Sequence, residues 1–94
     1  MKTLGQELRK IRESKNILLR QVASYLEIDT AMISKIERGE RNLNRNQVIK
    51  LAEFYNASQE DFLTLWVCDK VLNTVENEPF ALKGMKKALK TLKV

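Results

Sequence analysis

LRQVASYLEIDTAMISKIERG, residues Leu19 to Gly39, reads as two short helices joined by a tight turn. Val22, Ala23 and Leu26 fall on one helical face, Ile28 lies in the turn, and Ile33 and Ile36 repeat at helical spacing after it. Ala23 is small and lets one helix cross close over the other. Gly39 follows the last periodic residue, where a helix end takes a left-handed residue. Thr30, Ala31, Ser34, Lys35 and Arg38 sit between the apolar positions and face outward. A compact pair with a polar, partly basic outer face on its second helix is a helix-turn-helix, and that face is free to enter a DNA groove.

Outward from this pair the pattern stays helical. Upstream, Thr3 with Gln6 reads as a capping box, and Leu4, Leu8 and Ile11 mark a helix to about Ser14. Asn16 and Ile17 break the pattern before the second helix, roughly Leu19–Leu26. Asp29 or Thr30 caps the third helix, which runs to Arg38. Residues 40–43 read as a polar loop. Asn44 with Gln47 suggests another cap, and Val48, Leu51, Ala52 and Tyr55 form the buried face of a fourth helix. Asn56 ends that helix, and Ser58 opens a fifth, with Glu60 and Asp61 in its first turn, where negative charge suits the helix dipole.

The fifth helix is apolar on more than one face, from Phe62 through Trp66 to Leu72 and Val75, so it is expected to have two partners: its own core and another chain or helix. Asn77 and Glu78 interrupt it, and Pro79 is expected at the first position of a sixth helix. Phe80, Met85, Ala88, Leu89 and Leu92 make the apolar stripe of that helix and five lysines line the rest, while Gly84 weakens its middle by roughly 1 kcal/mol against alanine. No segment alternates like a strand. The expected fold is all-α, with residues 1–66 as a DNA-binding domain and 67–94 as a helical extension for dimerisation.

Ninety-four residues suffice for one small domain, and 44% hydrophobic content can build its core. The net charge of +5 favours a polyanionic partner. Its distribution is more telling: residues 1–20 carry +4, 21–34 carry −2, 35–50 carry +3, 51–69 carry −4 and 70–94 carry +4. Cys68 is the single cysteine, so a disulfide within the chain is impossible; it reads as a buried thiol in a reducing compartment. The longest apolar run is too short to span a bilayer and the N-terminus has no apolar signal region, so no membrane partner and a cytoplasmic location are expected. The chain has no histidine, one cysteine and three glycines. Histidine catalysis, a thiolate zinc site and a phosphate-cradling glycine loop are thereby excluded, and neither enzyme activity, cofactor nor metal is expected.

Ala23, Ile28, Ile33, Ile36 and the run from Ser34 to Gly39, followed by Glu40 and Arg41, make the sequence resemble the phage-repressor class of helix-turn-helix regulators, the Xre or Cro-like family. The resemblance covers about Leu4 to Leu63 and implies a five-helix DNA-binding domain, here with an additional C-terminal helix. It implies that Thr30, Ala31 and Lys35 read base edges in the major groove of double-stranded DNA, with Ser34 at the groove wall. It implies phosphate contacts from Arg20, Arg38, Arg41 and Asn42, and a structural ion pair between Arg12 and Glu37. Two positions depart from the family pattern: Glu27 stands at the usual turn glycine, and Leu19 stands where a glutamine usually braces the DNA contacts. A left-handed Glu27 costs about 1 kcal/mol or more.

The resulting expectation is a sequence-specific transcriptional regulator that binds a near-palindromic operator as a homodimer, through an interface including Phe62, Trp66, Leu72, Phe80, Met85 and Leu89. The alternative is a protein-interaction module, such as an antitoxin or a partner-binding regulatory subunit.

Overall fold

The structure is a computed structural model that describes residues 3–92. Its elements are six helices: α1 (Thr3–Ser14), α2 (Leu19–Leu26), α3 (Thr30–Glu37), α4 (Arg45–Phe54), α5 (Gln59–Val75) and α6 (Ala81–Leu92), with no strand among the described residues. Three helix starts follow from local chemistry. Asp29 accepts the Met32 N–H at 2.7 Å to open α3, Asn44 and Gln47 cap each other at α4, and the Ser58 hydroxyl accepts from Asp61 N–H at α5. Asn16, Glu27, Asn56 and Asn77 take positive φ at or just beyond helix ends, as does Gly39 at φ 79°. Asparagine and glycine tolerate that conformation at little cost.

Glu27 is the exception, and the turn is not rebuilt to avoid it. It is left-handed at φ 58° and ψ 41°, and its N–H and that of Ile28 donate back to the carbonyls of Ser24 and Ala23. This closes α2 and swings the chain into α3.

The core gathers the apolar faces of α1 to α4 and the first turn of α5, with Val22, Val48 and Tyr55 deepest. The packed pairs are α4 with α5, α2 with α3, α1 with both α5 and α3, and α2 with α4. The α1–α3 crossing is close because residue 5 is glycine: a Cβ there would lie 2.6 Å from the Ile36 carbonyl oxygen and 2.8 Å from that of Glu37. Deleting the side chain lets the start of α1 rest on the end of α3.

Several expectations change. Thr3 is itself helical, and rather than pairing with Gln6 it gives its N–H (2.7 Å) and hydroxyl (2.8 Å) to Asp69 on α5, which also accepts the Leu4 N–H at 3.0 Å. Thus a carboxylate from the far end of the chain caps α1. The division drawn after Trp66 falls inside the unbroken α5, and Asp69 beyond it is tied to α1. Leu43 in the polar loop is buried, because the chain must cover the base of α4 as it turns. Cys68 is exposed, not buried: α5 turns its Trp66 and Asp69 side inward instead. Pro79 lies in the turn before α6, which begins at Ala81. Phe62 is only 3% exposed and belongs to the domain's own core, so it does not line an outer interface.

Candidate nucleic-acid interface

The outer face of α3 is held rigidly from behind. Ile33, Ile36 and Glu37 are buried, while Thr30, Ala31 and Lys35 are exposed and Ser34 is half-buried. The four residues expected to read bases therefore share one helix face of one turn and a half. The Lys35 ammonium makes no hydrogen bond among the described residues, so it is available to a ligand.

Behind that face lies the ion pair. Arg12 Nε donates to Glu37 Oε2 at 2.8 Å and Nη2 to Oε1 at 3.2 Å, a two-pronged contact with side chains 14% and 6% exposed. Its third prong, Nη1, donates to the Ile17 carbonyl at 2.9 Å. One guanidinium thus joins α1, the loop before α2 and the last turn of α3. The hydrogen bond to Glu37 raises the Arg12 pKa above its ordinary value against the opposing effect of burial.

The phosphate candidates are less uniform. Arg20 is exposed at the start of α2 and has no partner among the described residues. Gln21, one residue on, accepts the Leu18 N–H at 2.7 Å and so braces the helix start, although leucines occupy positions 18 and 19. Arg38, at the end of α3, is already engaged: Nη1 donates to Ser34 Oγ at 2.6 Å and Nε to Glu40 Oε2 at 2.7 Å. That bond holds the Glu40 carboxyl below the usual carboxylate range, and Lys35 adds to the effect. Arg41 is exposed and rests its Nε on Met32 Sδ at 3.4 Å. Asn42 is exposed beside it in the same loop. Lys35, Arg38 and Arg41 therefore form a cationic rim around the end of α3, with Glu40 set into it. The resemblance included Glu40 but gave it no role; its place between Arg38 and Arg41 in sequence was the available signal.

The expected interface residues outside the core are scattered over the C-terminal hairpin. Trp66 is half-buried, its Nε1 donates to the Leu43 carbonyl at 2.8 Å, and Lys70 Nζ sits 3.7 Å from the centre of its ring. Leu72 and Met85 are half-buried, while Phe80 and Leu89 are exposed. Among the described residues no helix is long and apolar enough to cross a membrane.

A buried helix pair closed by a left-handed turn, with a polar face outward and a basic rim, is the architecture of a helix-turn-helix protein. Residues 8–63 match the helix-turn-helix family, and the chain belongs to its Xre/Cro-like class. It is 39% identical over 54 residues to the HTH-type transcriptional repressor RghR of Bacillus subtilis, a match covering 56% of this chain and 40% of that protein. It is 40% identical over 50 residues to an uncharacterized HTH-type transcriptional regulator, RghRB, of the same organism, covering 53% of this chain and 36% of that protein. The matches thus span about two fifths of the length of these relatives. No solved structure gives a significant match.

Proposed function

We propose that this protein is a transcriptional regulator that binds double-stranded DNA sequence-specifically, acts as a cytoplasmic homodimer on a near-palindromic operator, and works by occupancy. The observation that carries this reading is the face of α3. The Lys35 ammonium, which donates no hydrogen bond, stands beside Thr30, Ala31 and Ser34 on a helix locked from behind by Ile33, Ile36 and the Arg12–Glu37 pair. Lysine can donate to guanine O6 and N7, and the alanine methyl can touch that of thymine. Arg20, Arg38, Arg41 and Asn42 lie where phosphates would flank such a helix, and contacts of that kind set register without reading sequence. Family membership and the printed name of the RghR relative support regulation through DNA, and repression in particular.

Selection of bound sequences from a random DNA pool supplies the operator. On that site Lys35→Ala costs about 1–3 kcal/mol and relaxes specificity at one position, whereas Arg20→Ala weakens all sequences alike and lowers the salt slope by about one. If Lys35→Ala weakens selected and random DNA equally, Lys35 is not a base-reading residue.

A further inference from the structure

The loop that carries Arg41 and Asn42 is tied down locally only at its ends. The Gly39 and Glu40 N–H groups donate to the Ile36 and Lys35 carbonyls at 3.0 and 2.8 Å, and Asn44 caps α4. Residues 41–43 between them belong to no helix. They cross a cavity of about 30 Å³ that is lined from below by Leu4, Leu8, Ile36, Trp66 and Asp69. That is room for about one water. Atoms facing such a gap forgo dispersion contacts, so packing alone holds this stretch weakly. Its one tie to the opposite wall among the described residues is polar. The carbonyl of Leu43, itself 7% exposed, accepts the Trp66 indole N–H at 2.8 Å.

The donor comes from a fixed arm. Phe62, Trp66 and Asp69 recur at helical spacing on one arc of α5. Phe62 is in the core and Asp69 caps α1, so the turn between them, which carries Trp66, has little freedom to move. Lys70 Nζ lies over the indole, 3.7 Å from the ring centre, and a cation there favours that ring placement. On the far side of the loop Arg41 Nε rests on Met32 Sδ at 3.4 Å, and a thioether is a weak acceptor. Arg41 therefore takes its place chiefly from the backbone that Trp66 holds.

We propose that Trp66 is a positioning residue for DNA binding: through the Leu43 carbonyl it sets the loop that presents Arg41 and Asn42 to phosphate. This rests on the DNA-binding reading above and extends its machinery past the residues 8–63 that match the family. The indole has one donor and no acceptor, and that donor is spent on Leu43, so Trp66 acts through the loop and not on the duplex. A loop placed before binding spares the cost of ordering it on the duplex.

Titration of random duplex DNA with the full chain at several salt concentrations tests this. Arg41→Ala should weaken binding and lower the salt slope by about one. Trp66→Phe keeps a ring and loses the N–H. It should weaken binding roughly fivefold, the scale of one hydrogen bond, with helix content, light-scattering mass and base preference unchanged. In the Arg41→Ala background the same change should weaken binding clearly less. A bond that merely satisfied a buried N–H would lower the melting temperature and leave affinity alone. The wild-type chain supplies a second readout, since coupling is reciprocal: duplex DNA should slow solvent exchange of the single indole proton. Trp66→Phe that binds like the wild type, strict additivity with Arg41→Ala, or an indole proton indifferent to DNA overturns the proposal. A loss of affinity that comes with a changed mass overturns it too, by placing Trp66 between copies. A wild-type chain that binds no duplex overturns the DNA-binding reading and the proposal with it, and is recognised without any variant.

Discussion

Arg12 makes three hydrogen bonds to two segments, and the Glu37 carboxylate it meets is 7% exposed. Two charges withdrawn from water need not stabilise the fold relative to apolar residues, but removing one strands the other. Arg12→Ala and Glu37→Ala should each lower unfolding free energy by roughly 3 kcal/mol, and the double variant by clearly less than the sum. Strict additivity in denaturant melts would show the pair to be uncoupled. Glu40 presents the opposite case. Its bond to Arg38 is solvent-exposed, and such pairs add little to stability. Its consequence is electrostatic, since it offsets a cation proposed to contact phosphate. Glu40→Gln should tighten binding to random duplex DNA several-fold and steepen the salt slope by about one, with no effect in Arg38→Ala. Weaker binding by Glu40→Gln would instead make Glu40 a residue that positions Arg38.

Among the elements, α1 shows what a sequence hides. The caps of α3, α4 and α5 were legible because acceptor and amide lie three residues apart. Asp69 was not, since its partners lie 65 and 66 positions away and the apolar run around it drew attention to burial instead of hydrogen bonding. Gly5 was illegible for a related reason: its role depends on the Ile36 carbonyl, a backbone atom that no side-chain pattern encodes. Cys68 was misplaced because hydrophobic company does not tell which arc of α5 turns inward. Asp69→Asn should cost about 1–2 kcal/mol, the scale of a lost helix cap, and a melt unchanged by it would remove Asp69 as the cap of α1. Glycine-to-alanine changes should carry opposite signs in two helices. Gly84→Ala should strengthen α6 by about 1 kcal/mol. Gly5→Ala should destabilise the fold, because the new Cβ meets two carbonyl oxygens below 3 Å. Equal signs in urea melts would refute the close α1–α3 crossing.

At the scale of the molecule, the basic segments flank α2 and α3 in sequence, at residues 1–20 and 35–50, while the acidic stretch 51–69 lies in α4 and α5. The resemblance led to the proposed reading face, because Lys35 and its neighbours lie within a few residues of one another. The face proposed for dimerisation was only half legible. The apolar excess of α5 and α6 pointed to a partner, but Phe62 turned out to be core and only the structure separates the exposed apolar surface from the core. In the proposed homodimer, a near-palindromic operator with half-sites one DNA turn apart requires the two α3 helices to lie about 34 Å apart on the same side of the duplex. A rigid homodimer would make affinity depend on the phase of the half-sites. Inserting about five base pairs between them rotates one half-site to the far side, and affinity should fall to the level of a single half-site. Gel-shift titration of both DNAs decides the matter: affinity indifferent to the insertion would mean that two reading heads are not held in register.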